Sequence, residues 1–104
     1  MANPGLEGGY TKISNELLEA ACRRIVNSTW LRVLVFTMRL TYGWRRKEVA
    51  SNYQAYATKL NLHKDTIRGA LADMAEKKII TLAVLTKEQF VVAINKDYEK
   101  WKID

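Results

Sequence analysis

The chain of 104 residues, 48% of them hydrophobic and only one a proline, has room for one hydrophobic core, which excludes a disordered tail and a pair of independent domains. Its formal net charge of +6 favours an anionic partner, whereas one cysteine and one histidine exclude an intramolecular disulfide and a tetrahedral cysteine–histidine metal site. No apolar run is long enough to cross a bilayer and the N-terminus lacks the features of a signal peptide, so we expect a soluble, cytoplasmic protein without membrane contact.

The first segments predict a flexible leader and a short helix. Residues 1–9 hold three glycines and the only proline, which favours a flexible leader before a single domain spanning residues 10–104. Ser14 or Asn15 is expected to cap a helix that ends near Arg24. The residues predicted to face inward are Leu17, Leu18, Ala21 and Cys22.

A second, largely apolar helix is predicted from Trp30 to Tyr42, capped by one of residues 27–29. Because it is apolar around most of its circumference, we expect it to be central and buried. Gly43 is expected to end it in the C′ position. Trp44 is interpreted as a core residue, with a stacking platform for a nucleic-acid base as the alternative.

The densest charge run follows, in a loop formed by Arg45, Arg46 and Lys47. Loop cations contact phosphates and position a duplex without reading its sequence, and a solvated turn is the alternative. The segment 23–68 around this loop has ten basic residues and two acidic ones. Such a concentration of charge is typical of a phosphate-binding surface, although it also occurs on solvated faces. Residues 49 and 50 are expected to pair as a short strand.

The stretch from Ser51 to Lys78 predicts a helix-turn-helix. Ser51 and Gln54 have the spacing of a capping box at the start of its first helix. Asn61 stands where the chain must turn sharply, and asparagine tolerates a left-handed backbone. The second helix begins at about residue 63 or 64. Its predicted inward residues, at amphipathic spacing, are Ile67, Ala70, Leu71 and Met74.

The exposed N-terminal end of the second helix is where a recognition helix presents side chains to the major groove. We expect its contacts to be divided between bases and phosphates. The predicted base contacts are Lys64, Asp65, Thr66 and Arg68, and His63 is predicted to contact phosphate. The alternative is an ordinary helical hairpin in a small core.

Two apolar segments, Ile79–Leu85 and Gln89–Ile94, are separated by three residues and predict a β-hairpin. Directly after a recognition helix, a hairpin is the wing of a winged helix, and Lys87 at its tip is predicted to contact phosphate. Protein contact through an apolar face is the alternative. Residues 95–101 are expected to fold back onto the core through Tyr98 and Trp101. The predicted fold class is therefore mainly α with a small β-hairpin (α+β), a winged helix-turn-helix.

Four segments of the chain resemble the N-terminal origin-binding domain of lambda-type phage replication protein O. The likeness extends from about residue 9 to residue 101, and its most specific part is the sequence TYGW at 41–44 before the basic loop, with the Asn95-Lys96 pair after the hairpin. The four segments are GYTKISNELLEA at 9–20, LRVLVFTMRLTYGW at 31–44, the helix-turn-helix, and INKDYEKW at 94–101.

This resemblance implies a winged helix that recognises repeated duplex sites at a phage or prophage origin, commonly as a homodimer, in the bacterial host cytoplasm. In that family a separate C-terminal region recruits the host helicase machinery, and we do not expect that function of a chain that ends at Asp104. Asn61 and Lys78 replace glycines that are typical of relatives. The acid Asp65 on the recognition helix means that the DNA sequence preference of relatives does not carry over.

Sequence-specific binding of double-stranded DNA in replication initiation is the function that these features favour. A transcriptional regulator and a protein-binding winged helix are the alternatives. No enzyme activity and no cofactor are expected, because the sequence has neither a glycine-rich phosphate loop nor the paired histidines of a metal-dependent nuclease. Asp73 and Glu76 share a helix face, but that spacing is ordinary on a solvent-facing side.

Overall fold

The computed structural model describes residues 1–103, in which four α-helices accompany one three-stranded antiparallel sheet. The α+β class predicted from the sequence is confirmed. The helices are α1 (Asn15–Arg24), α2 (Ser28–Thr41), α3 (Tyr53–Leu60) and α4 (Lys64–Glu76). The strands are β1 (Glu48–Asn52), β2 (Ile80–Val84) and β3 (Gln89–Ile94), and short 3-10 turns cover Leu6–Gly8, Tyr42–Trp44 and Tyr98–Lys100.

Side-chain caps begin all four helices. Ser14 Oγ accepts the backbone N–H of Leu17 at 3.1 Å, which confirms the predicted start of α1. The capping box predicted for α3 is wrong: the cap is Asn52, whose Oδ1 accepts the N–H of Ala55 at 2.8 Å. The physical reason is strand pairing, because Ser51 still lies opposite Phe90 in the sheet and the chain leaves β1 one residue later.

Residues with a left-handed backbone conformation form the sharp turns between elements. Asn61 has φ 54° between α3 and α4, as predicted. Lys78 has φ 64° between α4 and β2. The prediction that Gly43 ends α2 needs correction, because a 3-10 turn carries the chain through Trp44 and the left-handed residue is Arg45, with φ 57°.

Helix α2 packs against α3, α4, β1 and β3 and lies at the centre of the fold. Its central position is as predicted, although its burial is not complete, since Val35 on its outer side is 46% exposed. Inside, Thr37 Oγ1 donates to Val33 O at 2.8 Å, so Tyr56 donates its hydroxyl proton to Thr37 over 2.6 Å. Burial raises the pKa of Tyr56 to about 12, against the smaller lowering effect of its bond to Thr37.

Three further residues do not lie where the sequence predicts. Leu18 is 40% exposed and Cys22 is exposed, because the buried stripe of α1 runs instead through Leu17, Ala20 and Ala21. Trp44 is 61% exposed and is not a core residue. The 3-10 turn after α2 directs its ring outward, beside the guanidinium of Arg39.

The sheet has the strand order β1–β3–β2, so the predicted hairpin of β2 and β3 gains β1 as a third strand. Residues 49 and 50 pair within β1, as predicted. The register puts Asn52 opposite Gln89 and Glu48 opposite Ala93. Consequently the start of α3 lies beside the hairpin tip, and the chain before β1 lies at the other end of the sheet.

The segment after β3 folds back onto the core. Trp101 is 3% exposed, as expected, and its Nε1 donates to Asn95 O at 2.8 Å. The Asn95 side chain donates to Lys78 O at 2.8 Å. Arg24 reaches across from α1 and donates to the carbonyls of Tyr98, Trp101 and Ile103. Asn95, which the resemblance singles out, is therefore a residue that holds the fold together.

Candidate nucleic-acid interface

The first turns of α4 and the tip of the β2–β3 hairpin meet at one end of the sheet. We call residues 63–68 and 86–88 together the recognition end. Glu88 joins the two parts: its backbone carbonyl accepts the N–H of Tyr53 at 3.2 Å, and its carboxylate lies 3.2 Å from Lys64 Nζ. The hairpin tip is thus held against the first turn of α4.

His63 caps α4, with its Nδ1 accepting the N–H of Asp65 at 3.3 Å. The other backbone N–H groups of the first turn and the helix dipole favour an anion in front of this helix end. His63, Asp65 and Thr66 are exposed around it, and Lys87 is exposed at the hairpin tip. The predicted base contacts, together with His63 and Lys87, therefore lie at one end of the molecule.

Arg68 is held in place by two neighbours. Its Nη1 lies 3.0 Å from Asp65 Oδ1, and its guanidinium carbon lies 4.7 Å from the centre of the Tyr53 ring. Tyr53 is 4% exposed and packs on Phe90, so the ring under the guanidinium belongs to the core. Arg68 is in this way held at the surface, one turn into α4.

The outward face of α4 carries small and acidic residues. Asp65, Gly69, Ala72 and Glu76 follow one another at helical spacing and are all exposed. A Cβ added at Gly69 would meet no atom within 4 Å, so the backbone there is open to close approach. The positive charge at the recognition end lies on the flank of the helix that faces the hairpin.

The basic loop, residues 45–47, does not join the recognition end. It precedes Glu48, whose partner Ala93 lies at the opposite end of β3 from the hairpin tip. The five-residue length of β1 separates Lys47 from Asn52 by about 17 Å at the rise of an antiparallel strand. Within residues 1–103 none of the three loop cations forms an ion pair.

The sequence did not predict two features of the interface. One is the pairing of Lys64 with Glu88, and the other is the seating of Arg68 on Tyr53. The partners are 24 and 15 residues apart along the chain, so no local spacing signals either contact. Because the sequence predicts a wing beside α4, the acidic residue at the tip of that wing, Glu88, was a signal that could have indicated its pairing with Lys64.

Among residues 1–103, no helix combines the length and apolarity needed to span a bilayer. Over the same range, no three side chains of the types His, Cys, Asp and Glu come close enough together to hold a metal ion.

A family profile described as bacteriophage replication protein O matches residues 3–101. The chain belongs to this family. The resemblance seen in the sequence is thereby confirmed. No solved structure gave a significant match.

Two curated relatives carry replication in their names. The chain is 28% identical over 99 residues to Replication protein 15 of Enterobacteria phage phi80, an alignment that covers 95% of this chain and 32% of the relative. It is 27% identical over 97 residues to DNA replication protein gp18 of Salmonella phage P22, covering 93% of this chain and 34% of that relative. The chain thus spans about a third of the length of these relatives.

Proposed function

We propose that this chain is a winged helix-turn-helix domain that binds duplex DNA sequence-specifically at a phage replication origin in the host cytoplasm. Helix α4 would be the recognition helix and the β2–β3 hairpin the wing. The observation that carries the proposal is the bridge from Glu88 to Lys64, since it makes helix and wing project from the same end. Family membership favours replication over transcriptional regulation.

The base contacts in this proposal are Lys64, Asp65, Thr66 and Arg68. Arg68 suits bidentate contact with guanine because its guanidinium is planar and already oriented by Tyr53. A carboxylate such as that of Asp65 accepts a hydrogen bond from the amino group of cytosine. His63 and Lys87, on either side of this group, are proposed to contact phosphates.

The ion pairs at the recognition end do not prevent DNA binding. The pairs Lys64–Glu88 and Arg68–Asp65 are solvent-exposed, and exposed pairs contribute about 0.2–1 kcal/mol. Contacts with bases and phosphates are stronger than that, so they replace the internal pairs at small cost. Without DNA, the acids hold the cations in place and repel a backbone that docks in the wrong register.

The proposal is tested by selection from a library of random duplexes with the wild-type chain, Arg68→Ala and Arg23→Ala. Arg23 is exposed on α1 and serves as a control with the same charge change. The wild type and the control are expected to enrich the same sequence, whereas Arg68→Ala loses the preference at one or two positions, worth about 1–3 kcal/mol. An unchanged preference in Arg68→Ala, or no enrichment by the wild type, would contradict the proposal.

A groove between α2 and α3 supports a second candidate function, the binding of a protein. It has a volume of about 490 Å³, and its lining is apolar through Leu31, Val35, Phe36 and Leu60, with Arg32 and Arg39 beside them. Neither helix contains an acidic residue. Charge complementarity therefore favours an amphipathic helix with acidic flanks as the occupant.

A homodimer, which the resemblance implies, is not favoured through this groove, because two copies related by a twofold axis would bring their arginines together. Val35→Asp tests the groove. A synthetic acidic amphipathic helix is expected to bind the wild type and not the variant, and Val26→Asp, the same substitution at a more exposed position outside the groove, is the control. Dimerisation lost in Val35→Asp, as seen by sedimentation, would assign the groove to a second copy instead.

A further inference from the structure

Two large aromatic side chains border one cleft on the side of the molecule that carries the basic loop. Trp44 is 61% exposed and Tyr10 is 56% exposed. With Gly43 and Arg39 they line a cleft of about 390 Å³, within the size range of small-ligand sites. Exposed aromatic faces beside one another are costly to leave in water, which makes them a feature to explain.

The Trp44 ring is exposed, and a neighbouring cation helps to hold it in place. The guanidinium carbon of Arg39 lies 5.6 Å from the centre of the ring. A Cβ at Gly43 would lie 2.8 Å from Arg39 Nη1 and 3.1 Å from Thr11 Oγ1, so glycine permits the close approach of both residues. One side of the ring is thus engaged by a cation, and the rest faces solvent.

Directly after Trp44 come the three exposed cations of the basic loop. The loop backbone is fixed by two hydrogen bonds, from Arg45 N to Tyr42 O at 3.0 Å and from Arg46 N to Thr41 O at 2.9 Å. The chain around it is depleted of acids, because residues 20–64 contain a single one, Glu48. Aromatic platforms and fixed, unpaired cations therefore share one surface, which we call the basic-aromatic surface: Tyr10, Arg39, Trp44 and residues 45–47.

We propose that the basic-aromatic surface binds single-stranded nucleic acid, with unpaired bases stacked on Trp44 and Tyr10 and the backbone against residues 45–47. Bases in a duplex stack on one another and cannot stack on a protein ring, whereas in a single strand their faces are free. A duplex would use the cations and leave both aromatic rings without a role. The exposed rings therefore favour the single strand.

This site is separate from the recognition end and does not rest on the function proposed for it. The length of β1 puts about 17 Å between the two. One chain can therefore hold a duplex at α4 and an unpaired strand at the basic-aromatic surface at the same time. Variants of one surface leave the other intact, so the two proposals fail separately.

The test is fluorescence anisotropy with a labelled oligothymidine of about twelve nucleotides, within the usual site sizes for single-strand binders. Trp44→Ala is expected to weaken binding by about 5- to 100-fold, the range for loss of one stacking platform, whereas Trp44→Phe retains most of it. Arg68→Ala, at the recognition end, is the matched control and is expected to bind the oligonucleotide like the wild type. Because Trp44 is exposed and Arg68 lies at the surface, all three variants should remain folded under the conditions of the assay.

Salt and duplex competition complete the test. Replacing all three loop cations by glutamine is expected to flatten the dependence of log K on log salt by about 0.7 for each lost phosphate contact. Trp44→Ala should leave binding of the selected duplex unchanged. Binding of oligothymidine by Trp44→Ala at wild-type strength would overturn the proposal. Equal weakening on the oligothymidine and on the duplex would overturn it too, and would assign the surface to duplex phosphates.

Discussion

The two positively charged ends of the molecule differ in what surrounds their charges. At the recognition end Lys64 pairs with Glu88 and Arg68 pairs with Asp65. In the basic loop no cation pairs with an acid of residues 1–103. A cation that already pairs with an acid gains free energy on binding DNA only when its contact with the DNA is stronger than the ion pair that it replaces. Paired charges therefore favour selectivity, and open charges favour affinity without regard to sequence.

The aromatic residues at the two ends differ in how far they are buried. Tyr53 lies in the core under Arg68, whereas Trp44 lies at the surface beside Arg39. One ring positions a side chain that we propose to read sequence, and the other is itself exposed at the surface.

The largest expected difference between the two ends is in stability. Tyr53→Ala should lower the free energy of unfolding by about 3–5 kcal/mol, as for other buried aromatic residues. Trp44→Ala should cost at most about 1 kcal/mol, the value of an exposed cation–π contact. Urea denaturation of both variants checks this, with Tyr53→Phe as the control. Equal losses of stability in the two alanine variants would show that Tyr53 and Trp44 contribute equally to the fold.

A smaller effect is expected at the junction of α2 and α3, which connects the two ends. Tyr56→Phe removes the hydroxyl that donates to Thr37 and should cost about 0.5–1.5 kcal/mol. The pKa of Tyr56 is raised from its ordinary value of 10.0 to about 12, so the folded state holds this proton more tightly than the unfolded state. The associated stability is present below pH 10.0 and is lost as the pH rises towards 12.

Urea denaturation across that alkaline range tests the pKa. The wild type should lose stability more steeply than Tyr56→Phe, which lacks the titrating group. Parallel loss in both proteins would show that Tyr56 does not contribute to the pH dependence.

Next in size is the release of Arg68 from its acid. Asp65→Asn removes the negative charge nearest to the guanidinium and should strengthen binding to random duplex by about fivefold at low salt, equivalent to about 1 kcal/mol. The gain should shrink at higher salt, because both groups are exposed. Glu99→Gln, the same loss of charge outside α4, is the control. If random duplex bound equally well before and after the change, Asp65 would have no role in discrimination.

The smallest effect is expected from Glu88→Gln. The pair that it breaks is exposed, so the free energy of unfolding should change by less than about 0.5 kcal/mol. Hydrogen exchange at the hairpin tip should nevertheless become faster, because the tip loses its side-chain link to α4. Unchanged exchange at residues 86–88 would mean that the ion pair does not hold the wing in place.

Features that depend on a few neighbouring residues could be predicted from the sequence. Helices α1 to α4 begin and end within one or two residues of the expected positions, since caps and apolar spacing are local signals. The left-handed turn at Asn61 and the β2–β3 hairpin are likewise encoded in short stretches. The base-contact residues proposed on α4 follow from the same local pattern and stay predictions.

Features that depend on what a segment packs against could not be predicted. The run LLEAAC in α1 fits two adjacent stripes, and only the docking of α1 on the core selects the one through Ala20. Trp44 was assigned to the core by residue type, but its 3-10 turn points it outward. The distance between the basic loop and α4 follows from the pairing of β1 with β3, which no local pattern specifies.

We propose that duplex DNA binds at the recognition end and not at the basic-aromatic surface. It is tested most directly by nuclear magnetic resonance, as the isotope-labelled chain is titrated with the duplex that the wild type selects. We expect the largest amide shifts in residues 63–68 and 86–88, while residues 43–47 shift only when oligothymidine is added. Duplex-induced shifts concentrated in residues 43–47, with α4 unchanged, would contradict it.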